Sequence, residues 1–146
     1  MRAEKLWDRM AGKWDKPGVT LGENDIRLVE KTRKYITAGS TVLDYGCATG
    51  SIAFELARTA KKVYALDISS KMIEKAAAKA LVNKTENITF IHGSIFNEGL
   101  KEGTFDVITA FSILHLVDDA PQVFSRIYRF LKPGGGLYLL DAVHGA

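Results

Sequence analysis

Hydrophobic and polar positions change their period several times along this chain, and each change marks an element. Trp7, Met10 and Trp14 recur at spacings of three and four, one face of a short helix within residues 6–15 that Lys16-Pro17-Gly18 ends. A second helix is expected from an N-cap at Asn24 through Ile26, Val29, Arg33 and Ile36 to a stop at Gly39. The β-branched approach Thr41-Val42-Leu43 then runs into a turn punctuated by Gly46 and Gly50. Ile52, Ala53, Leu56, Ala57 and Ala60 follow at helical spacing, so the order is strand, tight loop, helix.

Beyond that loop the pattern predicts a strand over 62–66, a helix from Ser69 or Ser70 to residue 83, strands over 88–92 and 105–110, a helix over 119–131 and a strand over 136–142. Asp118 or Asp119 with Pro121 opens the last helix, and Lys132-Pro133-Gly134-Gly135-Gly136 closes it. Strands alternating with helices imply crossover connections and therefore parallel pairing. The run Val107-Ile108-Thr109-Ala110 barely alternates, as a strand covered on both faces would not. The expected class is α/β, a Rossmann-like, doubly wound, mostly parallel sheet with helices on both faces. No Gly-, Pro- or Ser-rich linker divides the chain, so residues 1–146 are expected to form one domain, with N-terminal helices over 1–38 and an α/β core over 40–146.

Composition narrows the partners. The 146 residues are 47% apolar and 25% charged, ordinary for a globular domain with a real core. The net charge of +3 is spread without a run of like charges, so nothing suggests a nucleic-acid arm or a polybasic membrane patch. Cys47 is a single cysteine without an internal disulfide partner, and the opening Met-Arg-Ala-Glu-Lys lacks a signal peptide's apolar segment. No apolar stretch reaches spanning length. A cytoplasmic setting is expected, with neither nucleic acid nor membrane as partner.

The glycine loop is where a nucleotide-like ligand is expected. Gly46 and Gly50 permit a sharp turn and close approach of a ligand, and the helix that follows presents unpaired N–H groups. Asp44, taken to stand at the mouth of this loop, would repel a pyrophosphate but suits a ligand carrying an ammonium and a sulfonium. Asp67 ends the second strand 23 positions later, where a carboxylate can accept two hydrogen bonds from ribose hydroxyls; the plainer reading is that it helps cap the helix begun at Ser69. Ile68 is placed to pack on an adenine face or in the core, and Ser94 with the Ile95 backbone to meet an adenine edge.

Asp44-Tyr45-Gly46-Cys47-Ala48-Thr49-Gly50, Tyr64-Ala65-Leu66-Asp67-Ile68-Ser69, Phe105-Asp106-Val107-Ile108 and Leu131-Lys132-Pro133-Gly134-Gly135 stand in one order at natural spacings. Together they resemble the motif series of class I S-adenosylmethionine-dependent methyltransferases across nearly all of residues 40–142. The opening Trp-Asp-Arg-Met-Ala-Gly-Lys-Trp-Asp, which contains Trp14, resembles the lid helix of the small-molecule, quinone-methyltransferase-like branch. The resemblance implies that Gly46, Cys47, Ala48 and Gly50 cradle the methionine part of S-adenosylmethionine with Asp44 nearby, and that Asp67 holds the ribose. It implies Ile68 and Met72 beside the adenine, Ser94 and Ile95 at its edge, and backbone carbonyls near Phe111 on the ammonium. The departure is Ala48, where the family commonly has a second glycine; its methyl is compatible with binding if φ stays negative.

Methyl transfer from a sulfonium is a direct displacement, so alignment and water exclusion matter more than a catalytic triad or a metal. His115 stands where this family often lines the substrate cavity, as a base toward a hydroxyl or acidic carbon, or simply as a histidine packed by the last helix. The Asn/Asp-Pro-Pro-aromatic tetrad of base-methylating relatives does not follow the fourth strand, which speaks against a nucleic-acid substrate.

The family fold has seven strands, and this chain is expected to be truncated after the fifth, leaving the apolar 137–140 segment as an exposed edge that pairs two copies into a homodimer. The leading expectation is a methyltransferase acting on a small-molecule acceptor with S-adenosylhomocysteine as product. The alternative is a non-catalytic S-adenosyl-ligand-binding or partner protein that keeps only the cofactor-binding core. A nicotinamide-dependent oxidoreductase is a distant third, since Gly-x-Gly-x-x-Gly spacing is absent and Asp44 opposes pyrophosphate.

Overall fold

Five strands form the centre of the computed structural model, which describes residues 2–12, 23–97, 99–111 and 119–140. In chain order the elements are α1 (Arg2–Ala11), α2 (Glu23–Arg33), β1 (Thr41–Tyr45), α3 (Ser51–Ala57), β2 (Lys62–Asp67), α4 (Ser70–Asn83), β3 (Ile88–His92), β4 (Phe105–Phe111), α5 (Ala120–Phe130) and β5 (Leu131–Leu140). All pairings are parallel and the spatial order is β3-β2-β1-β4-β5, the Rossmann-like arrangement read from the alternating pattern.

Side-chain alternation sends each strand's residues to two cores. Leu43, Leu66, Ile108, Val123, Ile127 and Phe130 pack on the α5 face, while Val29, Val42, Ala53, Leu56, Val63 and Val107 pack on the face covered by α2 and α3. Phe105 meets Phe130 edge-to-face at 6.3 Å and 82°, both rings almost fully buried; each is worth roughly 1.5–3 kcal/mol of burial. Asp106 belongs to the strands' amino ends, away from the ligand rim. Its Oδ2 accepts from Thr41 N–H at 2.8 Å and lies 3.3 Å from Lys132 Nζ, which ties β1, β4 and β5 together.

Three elements depart most from the periodicity. α2 begins one residue before Asn24 and stops at Arg33. Beyond it Thr37 N–H donates to Ser40 Oγ at 2.9 Å and Gly39 N–H to Thr37 Oγ1 at 3.2 Å, so local side chains take over backbone groups that a longer helix would use. β5 starts directly after α5, with the Pro-Gly-Gly turn forming an irregularity in the strand, because Phe105 pairs with Leu131 and Val107 with Gly136. The predicted extension of β5 to residue 142 lies outside the described residues. α1 begins earlier than expected, and its buried face carries Ala11, with Glu4, Trp7 and Asp8 half-buried, whereas Met10 is exposed.

Candidate functional site

The direction of winding reverses between β1 and β4: β1 to β3 advance to one side, and the chain then returns to β1's other side. In such a sheet the crevice opens above the carboxyl ends of the two strands at the reversal. The loop after Tyr45 fills that position. Gly46 N–H and Cys47 N–H both donate to Leu66 C=O, at 2.8 and 2.9 Å, so the loop is drawn across the end of β2. Gly46, Ala48 and Gly50 all have positive φ, 79°, 51° and 88°.

Ala48 thus takes the left-handed region rather than the negative φ expected of it. Its N–H donates to Asp67 Oδ2 at 2.8 Å, and this bond, with the two bonds to Leu66, holds an alanine where glycine is normal, at about 1 kcal/mol of strain. Gly50 caps α3 without any side-chain hydrogen bond. A Cβ there would point into the protein, 3.2 Å from Phe54 Cε2 and 3.3 Å from Phe90 Cε1. Its lack of a side chain therefore serves the seating of α3, and Cys47, 6% exposed, likewise turns its thiol toward the core. Burial pushes that thiol's pKa well up, and Asp44 and Asp67 add to the effect, so Cys47 is an apolar filler rather than a nucleophile.

Asp44 is not at the loop mouth. It lies within β1, opposite Thr109 on β4 and Ala65 on β2, and is 3% exposed. Thr109 Oγ1 donates to its Oδ1 at 2.8 Å, while Oδ2 is buried with no hydrogen-bond partner. Burial pushes its pKa up to about 7, with the Thr109 hydroxyl opposing and Asp67 reinforcing the rise. An orphaned carboxylate oxygen beneath the loop is an acceptor for a cationic donor group, so the donor set fits a ligand carrying an ammonium.

Asp67 ends β2 with both oxygens engaged: Oδ2 by Ala48 N–H and Oδ1 by Ser69 N–H at 2.9 Å. Burial raises its pKa against these two bonds. The capping role and a ligand role are compatible, since a carboxylate with two acceptor sites filled has two left for a pair of hydroxyls. The structure thus joins Asp44, Asp67 and the loop into one acidic end of the crevice.

The other predicted positions line its flanks unevenly. Ile68 is half-buried and Ser94 exposed, with the Ser94 hydroxyl accepting from Phe96 N–H at 3.1 Å. Met72 and Ile95 are each 1% exposed and Phe111 8%, so their side chains shape the walls from beneath. Gly93 N–H donates to Asp67 C=O at 2.9 Å and holds the loop after β3 at the same rim. Trp14 and His115 lie outside the described residues. Sequence reasoning passed over Thr109, whose only signal was a hydroxyl in an apolar strand. It also passed over Glu4, whose partner His92 is 88 residues away, and Asp8, whose partner Ser69 is 61 residues away. Among the described residues no group of three or more His, Cys, Asp or Glu side chains could hold a metal, and no helix is long and apolar enough to cross a membrane.

Residues 36–145 match the family model described as a methyltransferase domain. The chain is 30% identical over 149 aligned positions to the demethylmenaquinone methyltransferase of Lactococcus lactis, an alignment covering 98% of this chain and 59% of that protein. It is 31% identical to the 27-O-demethylrifamycin SV methyltransferase of Amycolatopsis mediterranei, over 94% of this chain and 53% of that one. A crystal structure of a SAM-dependent methyltransferase from Aquifex aeolicus superposes with a TM-score of 0.76 at 22% identity, covering 92% of this chain and 72% of the other. The chain spans a little over half the length of the two relatives.

Proposed function

We propose that this chain, which belongs to the class I S-adenosylmethionine-dependent methyltransferases, binds S-adenosylmethionine at the crevice between β1 and β4 and transfers its methyl group to a small-molecule acceptor. The observation that carries the binding is the partnerless Asp44 Oδ2 buried beneath a left-handed loop, a carboxyl oxygen that an ammonium would satisfy and ionise and a pyrophosphate would not. When bound, S-adenosylmethionine supplies a methyl group already activated on sulfur.

The protein's part is to hold and align. In this reading the Gly46–Gly50 backbone and Asp44 hold the methionine end, Asp67 the ribose, and Ile68, Met72, Ser94 and Ile95 the adenine. Phe111 borders the ammonium, and Trp14 and His115, outside the described residues, are assigned by the resemblance to the cofactor and the acceptor. The acceptor class is supported by the two relatives, whose names specify demethylmenaquinone and a demethylrifamycin. We read residues 1–146 as one domain, with 1–38 as lid helices and 40–146 as core, supported by the bonds that tie α1 to α4. A cytoplasmic setting is supported by Cys47 having no internal disulfide partner.

Calorimetric titration with S-adenosylhomocysteine, against NADH as the comparison, tests the cofactor. Saturable binding of the first alone is expected, and Asp67→Ala, which deletes hydrogen bonds to a charged acceptor, should weaken it about tenfold or somewhat more. Binding of NADH alone, or of neither ligand, would refute the reading. Methyl transfer to hydroxylated small molecules is then expected; full cofactor occupancy without transfer to any of a broad panel would favour the non-catalytic alternative.

We further propose that two copies associate along β5. Among the described residues β5 pairs only with β4, and beside it runs a groove of about 530 Å³ lined by Phe124, Tyr128, Leu131 and Leu137. Tyr128 is 62% exposed, and an apolar strand edge of this kind invites a partner. Light scattering should give twice the chain mass at high concentration; the single-chain mass across a dilution series would exclude the dimer.

A further inference from the structure

Two polar ties join α1 to the ends of β2 and β3 and the start of α4. Asp8 Oδ1 accepts from Ser69 Oγ–H at 2.5 Å and from Lys71 N–H at 3.2 Å. One turn earlier on the same face, Glu4 Oε1 lies 3.0 Å from His92 Nε2, which is also 3.0 Å from Ile68 C=O. The two ties are four residues apart on α1 and straddle Ile68, where β2 and β3 end. On the outward side Leu6 and Met10 remain 46% and 37% exposed, while Ala11 is buried and Trp7 half-buried on the side facing the molecule.

The Asp8 tie leads into the crevice. Ser69 is fully buried, and its oxygen accepts from Met72 N–H at 3.2 Å, which leaves its single proton for Asp8. Ser69 N–H donates to Asp67 Oδ1, and Asp67 Oδ2 accepts from Ala48 N–H in the left-handed loop. Asp8, Ser69, Asp67 and Ala48 thus form one continuous hydrogen-bonded chain from the N-terminal helix to the ligand loop. The Ser69 hydroxyl beside Asp8 holds its carboxyl below the usual range, which keeps it ionised as an acceptor.

We propose that Asp8 is a positioning residue: it latches α1 over the ribose side of the crevice and, through Ser69 and Asp67, sets how long the nucleoside stays bound. This rests on the cofactor reading above. Asp8 fixes Ser69 and Ser69 fixes the Asp67 carboxylate that a ligand's hydroxyls would engage, so latch and ligand favour the same arrangement, and removing the latch is felt first as faster release.

Stopped-flow release of S-adenosylhomocysteine, with equilibrium affinity from calorimetry, reads this directly. Asp8→Ala should release the ligand about tenfold faster and raise Kd in proportion. Asp8→Asn, which retains an acceptor oxygen, should restore most of the residence time. In a Ser69→Ala background Asp8→Ala should add little, a non-additivity that loose packing of α1 would not produce. Unchanged release from Asp8→Ala, with the unaltered chain binding normally, would overturn the latch alone. Failure of the unaltered chain to bind would overturn the cofactor reading and the latch with it. Full additivity with Ser69→Ala would show that Asp8 does not act through that serine and would also overturn the proposal.

Discussion

Asp44→Asn should flatten the pH dependence of the domain's stability and at the same time cost it ligand affinity. The Asp44 carboxyl titrates near its usual 3.8 in the unfolded chain and at about 7 in the folded one. Between those values the folded state keeps a proton that the unfolded state has lost, so stability falls as pH rises from about 4 to about 7. The whole effect is on the order of 4 kcal/mol, and the share falling between pH 5 and pH 8 is roughly 2–3 kcal/mol. Asparagine has no such titration, while its Oδ1 still accepts from Thr109. Urea denaturation at pH 5 and pH 8 should therefore show the unaltered chain losing this increment and the variant keeping it.

The ligand should show the opposite sign. A cation docked on Oδ2 stabilises the ionised carboxylate, so affinity of the unaltered chain for S-adenosylhomocysteine should rise as pH passes through 7, and the variant's should stay low and flat. Parallel pH profiles for the two proteins, in stability and in binding, would mean that Asp44 neither titrates in the folded state nor meets the ligand.

Strand and helix order was legible because burial imposes period: β4 is buried along almost its whole length and read as a barely alternating apolar run, while α4 and α5 announce themselves with Ser69 and Asp119 as caps. Ends were less legible where side chains decide them, as at Thr37 and Ser40 after α2. The location of Asp44 failed for a different reason. Local sequence shows an acid just before a glycine loop, but its burial comes from Thr109 and Ala65 across two strand pairings. Asp8 is the extreme case, since its partners Ser69 and Lys71 are 61 and 63 residues away and leave no local trace. Gly50 was read as permitting a sharp turn and takes φ of +88°, but the side that needs the missing Cβ is the core rather than a ligand.

That side makes Gly50→Ala the most damaging small substitution in the loop. A methyl there must accept φ of +88°, at about 1 kcal/mol or more, and must enter a space closed by Phe54, Phe90 and the Ala76 Cβ at 3.5 Å. To admit the methyl the two half-buried rings, 6.1 Å apart at 54° with Lys79 Nζ 5.6 Å over Phe54, must each give by a few tenths of an ångström. Overpacking of this kind costs typically 1–3 kcal/mol, so the combined loss is about 3 kcal/mol, several degrees of Tm for a domain of this size. Because Gly50 also begins α3 and accepts the Phe54 N–H at 2.8 Å, any shift that relieves the clash tilts the helix start and reopens the loop. Affinity for S-adenosylhomocysteine should then fall at least in step with stability. A variant that melts within about 2 °C of its parent and binds equally well would show that the loop relaxes at no cost, and that the close packing behind Gly50 does not define the ligand-binding turn.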